Sequence, residues 1–103
     1  MSVLEEVLSE EYARSKRLLK HMEAEFVDLP KGSIRKRNIK GHDYYYLNYR
    51  SGEKVKSDYI SAADISALRA KIERRKSLAR AIKEHKQTLK QIERALGGAP
   101  HVD

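Results

Sequence analysis

The sequence predicts an α+β fold: an antiparallel, coiled-coil-like helical hairpin with a small three-stranded antiparallel β-sheet inserted between its two helices. Two observations predict it. Apolar residues recur every three or four positions at both ends of the chain, the mark of amphipathic helices. Between them, residues 33–60 are rich in β-branched and aromatic residues and are broken by short glycine-bearing segments, the mark of strands and hairpins.

Residues 2–27 read as the first helix. Ser2 with Glu5 three positions on forms a capping box for its first turn. Leu4, Val7, Leu8, Tyr12, Leu18, Leu19, Met22 and Phe26 make an apolar stripe with a polar gap at Ser15. Pro30 ends the helix. Three strands follow in SIRKRNIK, DYYYLNYR and KVKSDYI, with Gly41-His42 and Ser51-Gly52-Glu53 as the turns. Ile34 and Ile39 differ in parity, so a bulge or an early end is expected in the first strand. Residues 61–96 read as the second helix, capped by Ser61 and Asp64 and carrying Ile65, Leu68, Ile72, Leu78 or Ala79, Ile82, Leu89, Ile92 and Leu96 on one seam, interrupted by Arg75 and His85. Gly97-Gly98 and Pro100 stop it, and residues 97–103 are expected to form a loose tail. All 103 residues fit a single domain.

At about 1.5 Å per residue the second helix outruns the first by about ten residues if both start flush at the sheet. The overhang would hold Leu89, Ile92 and Leu96. An exposed apolar stripe calls for a cover, so these three are expected to join two copies as a homodimer, the alternative being a break near Arg75 or His85 that folds the tail back.

Charge is unevenly spread. Residues 1–30 hold four basic and seven acidic side chains, net −3; residues 31–56 hold eight and two, net +6; residues 57–103 hold ten and six, net +4. A local field of one sign points to a polyanionic partner. The same middle segment holds four of the six tyrosines, and Tyr59 follows just after it. A three-stranded sheet needs one covered face, expected to carry Tyr45, Leu47, Tyr49, Val55 and Tyr59. The other face would then present Tyr44, Tyr46, Asn48, Lys54 and Lys56, with Arg35, Lys36, Arg37, Lys40 and Arg50 alongside. Rings that stack and cations that neutralise phosphates suit nucleic acid, and Tyr and Arg are equally anchors of protein interfaces. A one-residue slip in register would exchange the two faces.

Leu29, Pro30, Gly32, Ser33, Ile34, then Tyr44 to Tyr46, then Arg50, Gly52, Lys54, Val55, Ser57, Tyr59 and Ile60 form an LP-x-GSI, tyrosine-strand, R-x-G-x-KV-x-S-x-YI core. It resembles a group of short bacterial and archaeal proteins of unknown function. It is also similar to the three-stranded arm-binding domains of tyrosine recombinases, whose lysine- and arginine-rich sheet inserts into DNA. That likeness implies DNA rather than RNA. The chain departs from those domains in its preceding helix, its much longer following helix and its lack of a catalytic domain.

No enzymatic constellation is present. His21, His42, His85 and His101 lie in separate elements and none has a second ligand at metal spacing; His21 and His85 are placed to meet across the hairpin. Neither a cofactor nor a metal is expected. The chain has no cysteine, which fits a reducing cytoplasm, and no apolar run long enough to span a membrane or act as a signal. The function these features predict is a basic nucleic-acid-binding accessory or regulatory protein. The alternative is a protein-interaction module, such as a phage or mobile-element regulator or an inhibitor of a nucleoprotein enzyme, acting without nucleic-acid contact.

Overall fold

The computed structural model describes residues 2–100. The elements run α1 (Val3–Asp28), β1 (Ser33–Ile39), β2 (His42–Ser51), β3 (Lys54–Ile60) and α2 (Ile65–Leu96). The strands make one antiparallel sheet in the order β1-β2-β3. The α+β class and the helix–sheet–helix order are those the sequence predicts. The chain forms two compact units: residues up to Asp28 together with those from Ser77 onward, and Leu29–Lys76. The sequence does not announce this division, because α2 is one continuous helix that contributes to both units. Of the tail expected over residues 97–103, the last three lie outside the described residues, His101 among them.

In the helical unit, α1 starts as its cap requires: the Ser2 Oγ accepts the Glu5 N–H at 3.2 Å. Tyr12, Leu19, Leu89 and Ile92 are buried together, with Leu8, Ile82 and Leu96 packed around them. Leu89 and Ile92 are therefore core residues of the helix pair, 8% and 6% exposed. This corrects the expected overhang: neither faces outward to a second copy, and Leu96 packs against the same cluster. The flush start was the error. Residues 65–76 of α2 belong to the sheet unit, so the extra helix length lies at the sheet end. Two polar pairs set the axial match. The Ser15 hydroxyl, 2% exposed, lies 2.9 Å from His85 Nδ1, and the Tyr12 hydroxyl donates to Glu93 Oε1 at 2.7 Å. His85 thus meets Ser15 rather than His21, and the gap in the α1 stripe is filled by a hydrogen bond. At the far end Gly97, at φ 74°, closes α2 with two back-bonds, Gly98 N–H to the Glu93 carbonyl and Gly97 N–H to the Arg94 carbonyl. On α1, Val3, Leu4, Val7 and Leu18 stay exposed.

The bond to Glu93, reinforced by burial and by the nearby carboxylate charge, holds the Tyr12 phenol above its ordinary pKa. The neutral phenol is the form the fold favours. Its contribution is complete below tyrosine's usual titration and is lost as pH rises through the higher folded value. Melts from about pH 8 to about pH 11, bracketing the ordinary tyrosine value, should show stability falling on the alkaline side. Tyr12→Phe should be less stable at the low end and fall less steeply; an identical slope would show that Tyr12 is not the titrating group.

In the sheet unit, Gly32 lets the chain enter β1 hard against β2. Its φ is 126°, and a Cβ there would sit 2.5 Å from the Asn48 carbonyl oxygen, so no side chain fits. β1 runs without a bulge, Ile34 pairing with Leu47 and Ile39 with His42. Opposite parity simply sends the two isoleucines to opposite faces, and Ile39 is left exposed. The first turn is Lys40-Gly41, one residue earlier than expected. Both have positive φ, 52° and 85°, as a type I′ turn requires, and the Asn38 Oδ1 accepts the Gly41 N–H at 3.3 Å. The second loop is Gly52-Glu53, since Ser51 still pairs with Lys54. α2 begins at Ile65. Ser61 makes a preceding turn, its carbonyl accepting the Asp64 N–H, while the Asp64 carbonyl accepts the first α2 bond from Leu68.

Candidate nucleic-acid interface

Residues paired across antiparallel strands point to the same side, so the two hairpins sort every sheet side chain. One face carries Arg35 beside Tyr46 and Arg37 beside Tyr44. On the β3 side, Tyr46 pairs with Tyr59 and Arg50 with Val55. The rings confirm the sorting: Tyr46 and Tyr59 centroids are 5.9 Å apart, edge to face, and Tyr44 and Tyr59 are 6.5 Å apart. Next to the rings runs a polar row, Ser33, Asn48 and Ser57, in which the Ser57 hydroxyl donates to Asn48 Oδ1 at 2.7 Å. Arg35, Arg37 and Arg50 are exposed, as is Tyr59 at 61%. No acidic side chain shares this face.

The opposite face is different in kind. It carries Lys36, Lys54 and Lys56 with both strand aspartates, Asp43 and Asp58. Asp43 accepts a hydrogen bond from Asn38 at 3.0 Å. A hydrogen bond to Asp58, with burial and the carboxylate charge, raises the pKa of Tyr49. Its apolar part, Leu47 and the buried Ile60, lines one open groove with Ala67, Leu68 and Lys71 of α2. Only this apolar end is covered; Lys36, Lys54, Lys56, Asp43 and Asp58 are exposed.

A family model described as "Domain of unknown function (DUF6788)" matches residues 4–70. The chain belongs to the DUF6788 family. The matched segment takes in nearly all of α1, the whole sheet and nearly the first two turns of α2. No curated protein and no solved structure matches the chain. The DUF6788 match carries no activity, so the reading of the sheet rests on its geometry.

Within the DUF6788 segment the structure brings together five of the nine residues assigned to nucleic acid from the sequence: Arg35, Arg37, Tyr44, Tyr46 and Arg50. It moves Lys36, Lys54 and Lys56 to the opposite face, exposed beside Asp43 and Asp58, and places Lys40 in the β1–β2 turn. Val55 and Tyr59, expected under the helices, lie on the open face instead. The physical reason is one residue of loop. A three-residue Ser51-Gly52-Glu53 turn would have put Val55 and Tyr59 with Tyr45; the two-residue Gly52-Glu53 turn reverses every β3 side chain. Tyr59 was the residue missed, and the only local signal for it was that Gly-X loops favour two-residue hairpins. Among the described residues no group of three or more His, Cys, Asp or Glu side chains is placed to hold a metal ion, and no helix is long and apolar enough to cross a membrane.

Proposed function

We propose that the protein is a small basic nucleic-acid-binding accessory or regulatory factor, not an enzyme, that engages DNA through the arginine–tyrosine face of its sheet. One observation carries this reading: the register gathers three arginines and three tyrosines, and no acid, on one exposed face. Guanidinium groups are planar, weakly hydrated and bidentate towards phosphate. Tyrosine rings supply stacking surface, and the Ser-Asn-Ser row supplies hydrogen-bonding groups beside them. The likeness to arm-binding sheets of recombinases favours DNA as the polymer, and the missing cysteines suit a cytoplasmic site of action.

The test is binding of the purified chain to duplex DNA, single-stranded DNA and RNA across a salt series. Three arginine–phosphate contacts contribute about −3 to the log–log slope on duplex, so fourfold more salt weakens this share of binding roughly 40-fold. Two variants of equal charge locate it. R35Q/R37Q/R50Q should lose that share of the slope; K36Q/K54Q/K56Q, on the opposite face beside Asp43 and Asp58, should change the slope by less than about one. Equal losses in both would mean that total charge, and not the open face, governs binding.

A second reading, the protein-interaction module, is favoured by a different observation. Val3, Leu4 and Val7 are all exposed at the start of α1, an apolar group suited to another protein. Flat, weak binding to all three polymers would select it.

A further inference from the structure

The sheet does not account for the charge of the second helix. Arg80, Lys83, Lys86, Lys90 and Arg94 recur at intervals of three and four residues along α2 and are all exposed. That spacing places them on one helix face. It is not the face that packs on α1, which carries Leu89 and Ile92. Glu84 stands at the margin of the basic row, and Glu93 is engaged by Tyr12. No ion pair with an acidic side chain is formed by the five cations among the described residues.

The lysines also converge. Ala79, Ile82, Lys83, Lys86, Gln87 and Lys90 line a shallow open groove of about 410 Å³. Its apolar floor is Ala79 with the edge of Ile82, which also packs on the helical core, and Lys83, Lys86 and Lys90 supply the charge. A sugar–phosphate backbone has the complementary pattern, since the sugar offers carbon surface and the phosphate negative charge. An apolar partner would meet unfavourable lysines, and a free inorganic anion would leave the apolar floor unused.

We infer that the outer face of α2 between Arg80 and Arg94 is a second nucleic-acid contact, a track that grips one sugar–phosphate backbone. It is built by the helical unit and lies outside the segment matched to DUF6788. It rests on the reading that the chain binds nucleic acid, and adds a surface which that reading does not need. Backbone contacts carry no base information, so the track strengthens binding to any sequence while the sheet supplies whatever preference exists.

The experiment compares K83Q/K86Q/K90Q with R35Q/R37Q/R50Q and the unaltered chain, using one duplex DNA and the same salt series. The two variants remove the same charge from different units. Glutamine is nearly as good a helix former as lysine, and an unchanged circular-dichroism melt verifies the fold. The expected result is a slope shallower by about two to three units in each variant, from loss of about three phosphate contacts apiece. A shallower slope only in the sheet variant would overturn the helix track and leave the sheet reading standing. The reverse would sustain the track and overturn the sheet as the interface. No change in either variant would overturn both.

Discussion

Leu89→Ala and Ile92→Ala should each destabilise the helical unit by about 2–5 kcal/mol, the range for truncating a large buried aliphatic residue. Both side chains are buried in the cluster with Tyr12 and Leu19, so truncation leaves a cavity between α1 and α2. Against a typical total of about 5–15 kcal/mol, either change removes a large part of the stability. Thermal unfolding would show a midpoint lowered by roughly 4–8 °C per kcal/mol for a domain of this size. Val55→Ala is the internal comparison. Val55 is 69% exposed, and its truncation should stay within about 0.5 kcal/mol. Sedimentation over a range of concentrations should find association unaltered by Leu89→Ala in protein that remains folded. If melting is unchanged while a concentration-dependent association disappears, these residues face a second copy and the packing described above is wrong.

Tyr46→Leu and Tyr59→Leu should weaken nucleic-acid binding without altering its salt dependence. Leucine keeps an apolar side chain within the ring cluster, so the sheet retains its contact, but it offers no π surface to a base. Stacking on an aromatic side chain is worth about 1–3 kcal/mol per base, a loss of roughly 5- to 150-fold in affinity for each ring that stacks. The charge count is untouched, so the log–log slope should match that of the unaltered chain. Losing affinity at constant slope is the opposite signature to that of the arginine variant, which loses slope. Tyr45→Leu, on the opposite face, should leave affinity within about twofold, since it removes no ring from the stacking surface. If Tyr46→Leu and Tyr59→Leu bind as tightly as the unaltered chain, the rings serve the sheet alone, and the face works through its arginines. The chain has no tryptophan, so tyrosine emission can follow binding directly.

The local signals in the sequence carried most of the fold. Ser2 and Gly97-Gly98 mark real helix ends, because capping is chemistry within a few residues of the end it serves. The three strands lie where β-branched and aromatic residues concentrate. The expected start of α2 was early by four residues, since Ser61 and Asp64 bond to each other in a separate turn before the helix. The alternation within β2 was legible too: Tyr44 and Tyr46 share one face and Tyr45, Leu47 and Tyr49 the other, because strand geometry alone imposes it.

Two things lay beyond the sequence for one reason: each is an offset between elements, and periodicity within an element says nothing about it. A period of two is preserved whether β3 pairs after a two- or a three-residue loop, yet the choice decides whether Tyr59 or Lys56 joins the arginines. A helical stripe likewise reports which side of α2 is buried but not how far α2 has slid along α1. That slide is set by Tyr12 meeting Glu93 and Ser15 meeting His85, contacts between residues 81 and 70 positions apart in the chain. The sequence by itself determined the elements, their order and the wealth of cations and tyrosines in the sheet. Only the tertiary structure decided which of those side chains stand together, because that is fixed by loop length and by long-range polar pairs rather than by any local pattern.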